Sequence, residues 1–149
     1  MFLFIIFSTL LMILDVLTKV LAVHYLAWGR VIVLIPGFLS LEYVENPGAA
    51  FGLFSGMSFL LILVAAAVLS YILYHMWLER CKSRLQYAGL IFLFAGTLGN
   101  LYNRIRLGYV VDFLRIPNWP NFNFADIFIN IGVLLLILYI FRMNKIQNS

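Results

Sequence analysis

The sequence predicts an all-α membrane protein of four transmembrane helices with a small β hairpin on the non-cytoplasmic face. Three observations carry that prediction. The 149-residue chain is 64% hydrophobic and only 11% charged, and its mean hydropathy of +1.03 lies far outside the soluble globular range. Four apolar stretches approach the roughly 20 residues that cross a hydrocarbon core. Two β-rich runs, parted by Pro36-Gly37, lie between the first and second stretches. The length allows one domain over residues 1–149.

The first stretch runs from about Phe2 to Leu26. No basic flank precedes it, and Ala22-Val23-His24 offers no small-x-small cleavage site, so it reads as a retained helix rather than a removable signal. Asp15 and Lys19 stand at i and i+4, where each neutralises the other and makes the segment insertable. A rival reading makes Asp15 a proton carrier. Segment 27–56 carries the hairpin, Val31 to Ile35 and Phe38 to Val44, in which Leu39, Leu41 and Tyr43 alternate with Ser40 and Glu42. An isolated hairpin is marginal in water, so this one is expected to rest on the bilayer interface or the helices. Asn46-Pro47-Gly48 turns the chain toward the second helix at about 57–77, with Ser55 in its N-cap region. Gly37, Gly48 and Gly52 read as turn formers before hinges. The third helix is expected at about 85–103 and the fourth at about 123–141, joined by segment 104–122, where Pro117 and Pro120 force a turn.

Arg80, Lys82 and Arg84 in the second link, with Arg142 and Lys145 in the tail, put both termini in the cytoplasm and segments 27–56 and 104–122 outside. The net charge of +4 is spread without a basic run, which suits lipid headgroups rather than nucleic acid. The single cysteine, Cys81, excludes an internal disulfide and a cysteine zinc site; its basic neighbours favour a lowered thiol pKa. His24 and His75 fall near opposite membrane faces and no H-E-x-x-H helix exists, which speaks against zinc. Leu53-Phe54-Ser55-Gly56 lacks the first glycine of a nucleophile elbow.

The remaining polar residues form a pattern. On the third helix Gly89, Gly96, Asn100, Asn103 and Arg104 fall within an arc of about 100°. The bland reading is helix packing and interhelical hydrogen bonding; the sharper one makes the stripe the lining of a site. On the fourth helix Asn123, Asp126 and Asn130 share one face. Asn123 suits an N-cap with Asp126 near N3, which explains one aspartate but leaves Asp112, across the proline turn, unaccounted for. If the outer ends of these helices adjoin, Asp112 and Asp126 converge. Two close carboxylates do not both ionise, so the pair holds one proton and offers an acid and a base together, as in aspartic proteases.

Four ordered blocks resemble signal peptidase II, the bacterial lipoprotein signal peptidase family, along nearly the whole chain. Asp15, Thr18 and Lys19 are similar to its D-x-x-S/T-K block, and Glu45 to Gly52 to its N-x-G-A-A-F/W block. Gly96 to Arg104, continuing through Val110-Val111-Asp112-Phe113, resembles the block of its first catalytic aspartate, and Phe122 to Asp126 that of its second. The resemblance implies a four-helix aspartic endopeptidase with a β cradle on its outer face, cleaving prolipoproteins before a diacylglyceryl-modified cysteine. Such a substrate enters from the lipid. It further implies Asp112 and Asp126 as the catalytic pair, and Asn46, Gly48, Gly96, Asn100, Arg104, Asn123 and Ala125 as residues that line or support the site. Asn46 and Arg104 would hold substrate backbone, and Asp15 with Lys19 would be structural, ordering the outer segments. Val16, Asn103 and Ile127 depart from the family's usual glutamine, aspartate and small residue.

The expectation is therefore a monomeric, metal- and cofactor-free peptidase of the bacterial cytoplasmic membrane, surrounded by membrane lipids and acting on its outer face. Its rivals are a small four-helix proton-coupled exporter using Asp15, and a non-catalytic helper subunit, which the polar stripe disfavours.

Overall fold

A computed structural model describes residues 1–48, 54, 56–78, 81 and 83–147. The expectations for residues 49–53, including Gly52, and for Ser55, Arg80 and Lys82 lie outside the described residues. The elements in order are α1 (Phe2–Leu26), β1 (Ile32–Ile35), β2 (Leu39–Asn46), α2 (Ser58–Leu78), α3 (Arg84–Leu107), β3 (Val110–Arg115) and α4 (Phe124–Gln147).

Three of the four long helices, α1, α2 and α4, are long and apolar enough to cross a membrane. Only 22%, 22% and 17% of their apolar windows are buried in the protein, so most of that surface requires hydrocarbon around it. The fourth, α3, packs closely against α1, α2 and α4 and carries the small and polar residues that those contacts bury. It also runs on to Leu107, past the expected end at Asn103. Arg104 and Arg106 suit the negative end of the helix, and the turn ends only where Gly108 takes a left-handed φ of 84° and donates its N–H to Arg104 O at 3.0 Å. At the other end Ser83 caps it, Oγ accepting from Gln86 N at 3.1 Å.

The expected hairpin is two strands of a three-stranded antiparallel sheet, order β1-β2-β3. This corrects the all-α reading with a lone hairpin, because β3 lies inside segment 104–122. Glu45 pairs with Val111 and Asn46 with Val110 across β2 and β3, which draws the start of β3 to the end of β2. The sheet rests on helices: Val111, Phe113 and Leu114 bury themselves with Ala22 and Leu26 of α1, flanked by Phe124 and Ile127 of α4. Phe122 N donates back to Leu114 O at 3.0 Å, so the proline-containing loop closes on β3 just before α4 begins.

Glycines set the separation of α3 from its neighbours. A Cβ on Gly96 would overlap the Ala125 carbonyl oxygen, and one on Gly132 would come within 2.6 Å of Leu93 N; both obstacles are backbone and do not yield. A Cβ on Gly89 meets a side chain first, Leu136 Cγ at 2.9 Å, which can turn aside. Gly96→Ala is therefore expected to lower stability by about 2 kcal/mol or more, and Gly89→Ala by less. Thermal unfolding of the two purified variants checks the order.

Candidate active site

Two carboxylates from different elements face one cavity. Asp112 sits in β3 and is 1% exposed. Asp126 lies in the first turn of α4 and is half-buried. Both line a cavity of about 680 Å³ together with Asn46, Asn100 and Arg104. Apolar walls come from Leu61, Val64 and Val68 of α2 and Ile129 of α4, with Thr97, Asn121 and Asn130 as further polar lining. Because α2 packs closely on α3 and not on α4, the cavity lies in the space between α2 and α4.

Three amides hold the carboxylates, and each has its orientation fixed by a group that can only donate. Asn46 Oδ1 accepts from Gly48 N at 3.0 Å, so its NH2 faces Asp112 Oδ2 at 2.8 Å. Asn123 Oδ1 accepts from Asp126 N at 3.0 Å, so its NH2 reaches Asp112 Oδ1 at 2.6 Å. Asn100 Oδ1 accepts from the Lys19 ammonium at 2.8 Å, so its NH2 donates to Asp126 Oδ1 at 2.8 Å. The other oxygen, Asp126 Oδ2, accepts from Asn123 N at 3.2 Å. Asn123 and Asp126 thus form a reciprocal capping box while Asn123 also bridges the two aspartates.

The predicted cap and the predicted site are therefore one structure. Of the other residues singled out in the sequence, Arg104 donates from Nη2 to Gly48 O at 2.9 Å, joining α3 to the turn after β2. Gly96 and Ala125 meet each other rather than the cavity, Ala125 being fully buried. Asn130 donates to Asp126 O at 2.9 Å and stays on the α4 backbone. Asn103, expected on the same stripe, does not line the cavity; its Oδ1 accepts from Val111 N at 3.1 Å and fastens β3 to α3.

Asp15 and Lys19 are paired as expected, at 2.8 Å and almost wholly buried. Beyond their own pair both reach other helices. Asp15 Oδ1 accepts from Ala125 N at 2.9 Å at the start of α4, and Lys19 holds Asn100. Sequence reasoning missed that link, and with it Gly99, where a Cβ would overlap Asp15 Oδ2. The signal was present, since Gly99 and Asn100 adjoin Gly96 in the same block. Cys81 also differs from expectation: burial pushes its thiol up rather than down, and its Sγ lies 3.3 Å from Met76 Sδ.

The sequence model of a family described as Signal peptidase (SPase) II matches residues 7–142. The chain belongs to the signal peptidase II family. A lipoprotein signal peptidase of Clostridium novyi is 41% identical over 89% of this chain and 93% of its own length, and one of Halothermothrix orenii is 38% identical over 92% and 94%. Two solved structures, each described as a bacterial membrane enzyme solved by the in meso method, superpose with TM-scores of 0.87 and 0.85 at 28% and 29% identity. They cover 95% and 94% of this chain and 89% and 93% of their own. As a signal peptidase II family member the chain is a protease and a multi-pass bacterial membrane protein, and the exporter reading has no support.

Burial, and then the neighbouring Asp126 charge, push the Asp112 carboxyl up to about 7, against the hydrogen bonds of Asn46 and Asn123. Unfolded, the same group ionises near its ordinary 3.8, so between those values the folded protein binds the extra proton. The stabilisation present below about pH 4 is lost as the pH rises toward about 7. Asp112→Asn removes this titration, so its melting temperature relative to the native protein is expected to rise between about pH 5 and about pH 8. Parallel melting curves at the two pH values measure it; a gap independent of pH would show that Asp112 is an ordinary carboxylate.

Proposed function

We propose that Asp112 and Asp126 are the catalytic pair of an aspartic endopeptidase that removes signal peptides from prolipoproteins, cutting before a diacylglyceryl-modified cysteine. The observation that carries the reading is that both carboxylates line one cavity and share one bridging residue, Asn123. The lipoprotein signal peptidases similar to this chain supply the substrate class.

Asp126 takes a proton from a water molecule as the water oxygen attacks the scissile carbonyl carbon. Asp112, which keeps its proton up to about 7, donates it to the carbonyl oxygen. The tetrahedral diol then collapses: the C–N bond breaks, the amine nitrogen takes the proton held by Asp126, and Asp112 regains its own from the diol hydroxyl. No covalent enzyme intermediate and no metal or organic cofactor enters the cycle. Asn46 and Arg104 hold the substrate backbone, a role supported by their place on the cavity wall. Among the described residues Arg104 Nε is buried without a partner, while Nη2 is held by Gly48 O beside the cavity. Asn100, Asn123 and Gly48 keep the acid and base oriented, while Gly96 and Ala125 let α4 approach α3.

The same reading takes α3 as a fourth span and residues 1–149 as one peptidase domain acting as a monomer. Both termini lie in the cytoplasm and the sheet and cavity on the outer face, the arrangement favoured by Arg84, Arg142 and Lys145 at the opposite end of the helices. A substrate anchored by two acyl chains reaches the apolar cavity wall of α2 and α4 from the bilayer.

Asp112→Asn and Asp126→Asn are each expected to reduce cleavage of a lipidated precursor peptide by about a thousandfold or more, with folding preserved in thermal melts. Cleavage retained by either variant would remove that residue from the pair.

A further inference from the structure

A second cavity, of about 400 Å³, lies between the sheet-side ends of α1 and α3 and shares no lining residue with the cavity of the two aspartates. Its composition is one-sided. Val16, Val20 and Val23 form an apolar wall along α1, while His24 and Arg106 stand at its rim with Tyr102. Among the described residues no carboxylate lines it, and the charged group at its floor, Lys19, is committed to Asp15 and Asn100.

The rim is built to present donors. Arg106 Nη1 donates to Tyr102 OH at 2.6 Å, and the guanidinium carbon lies 5.9 Å from the centre of the same ring. That contact holds the guanidinium plane and leaves the tyrosine's own proton for another acceptor. His24 and Arg106 are exposed, and an imidazole N–H donates whatever its charge state. Beyond them Tyr25 and Trp28 are exposed, Trp28 to 93%. Exposed aromatic residues at the end of a spanning helix mark headgroup depth, so the donors stand at the level of lipid phosphates while the valines run toward the acyl chains.

We propose that this groove between α1 and α3 binds a glycerophospholipid of the adjoining leaflet, with its phosphate held by Arg106, His24 and Tyr102 and an acyl chain along Val16, Val20 and Val23. Charge and depth choose this occupant. A phosphodiester supplies the acceptors that an arginine fork and two single donors require, and its chain supplies cover for the apolar wall. A diacylglyceryl group without phosphate would leave the rim unsatisfied, and a soluble anion would leave the wall bare. The ends of α1 and α3 are negative helix poles, so Arg106 also suits its own helix. That role alone gives no reason for three donors to share a groove.

The test is native mass spectrometry of the full-length protein, delipidated in nonionic detergent and titrated with phosphatidylglycerol, with dioleoylglycerol and with inorganic phosphate. One phosphatidylglycerol is expected to remain bound where dioleoylglycerol does not, and inorganic phosphate is not expected to displace it. His24→Gln combined with Arg106→Gln should weaken the adduct about tenfold or more. Val20→Trp, which fills the groove and leaves every donor in place, should weaken it as well and guards against a double variant that fails to fold. Equal retention of phosphatidylglycerol and dioleoylglycerol, displacement by phosphate, or an adduct insensitive to Val20→Trp would each overturn the site. A double variant with a lowered melting temperature and undiminished lipid binding would make Arg106 a helix-end charge and nothing more. Lipid binding is read without any cleavage assay, so the outcome is independent of whether Asp112 and Asp126 are the catalytic pair.

Discussion

An ammonium 2% exposed inside a membrane protein must find its hydrogen-bond acceptors on neighbouring chain segments, and Lys19 finds them at Asp15 and Asn100. Separating such a pair from water costs several kcal/mol per ion, which only close partners on every polar atom offset. The constraint spreads outward from there. Asp15 spends one oxygen on Lys19 and the other on the Ala125 amide, so α1 fixes the first turn of α4. Asn100 spends its oxygen on Lys19 and must turn its amide toward Asp126. Three helices are thus registered at one depth by a single buried charge, and the registered residues are the ones beneath the cavity.

Close packing makes that layer possible. Asp15 occupies space that a side chain on residue 99 would fill, and the Ala125 carbonyl occupies the space of one on residue 96. The two glycines lie one turn apart on the same face of α3, where α1 and α4 both approach: Gly99 admits Asp15 of α1 and Gly96 the Ala125 carbonyl of α4. Gly132 against Leu93 and the Gly89 carbonyl continues the same approach deeper in the bundle. The polar layer and the small-residue face depend on each other: without short separations the hydrogen bonds of 2.8 to 2.9 Å would not form, and without them nothing would hold a glycine-rich contact in register.

The parts of this arrangement that were legible in the sequence are those governed by local pattern. Long apolar runs mark the four long helices, Pro36-Gly37 the turn between β1 and β2, and Asn123 with Asp126 the cap of α4. The strand β3 escaped because its first five residues, Val110 to Leu114, are all buried. A strand covered on both faces shows no alternation, and with Asp112 at its centre it resembles neither a half-exposed strand nor a helix. Helical angle alone puts Asn103 on the stripe, but at the last turns of α3 its Oδ1 accepts from Val111 N of β3. The bond between Lys19 and Asn100 joins residues 81 positions apart, and no local pattern reports it.

The two aspartates stand on supports of different kinds. Asp126 is part of a capping box on a helix that three neighbouring contacts fix, so its position follows from α4 as a whole. Asp112 belongs to a strand whose pairing with β2 is irregular between Leu41 and Val44, beside the very position where Val44 faces Asp112. Both carboxylates are tied at both oxygens, Asp112 by Asn46 and Asn123 and Asp126 by Asn100 and the Asn123 backbone. Asn123 joins the two supports, because its backbone and carbonyl cap α4 while its NH2 reaches Asp112 at 2.6 Å. It works beside Asn46 of β2, which holds the other Asp112 oxygen, and Asn103 of α3, which accepts from Val111 N, so the carboxylate of β3 is fixed against the helices by three amides from three elements.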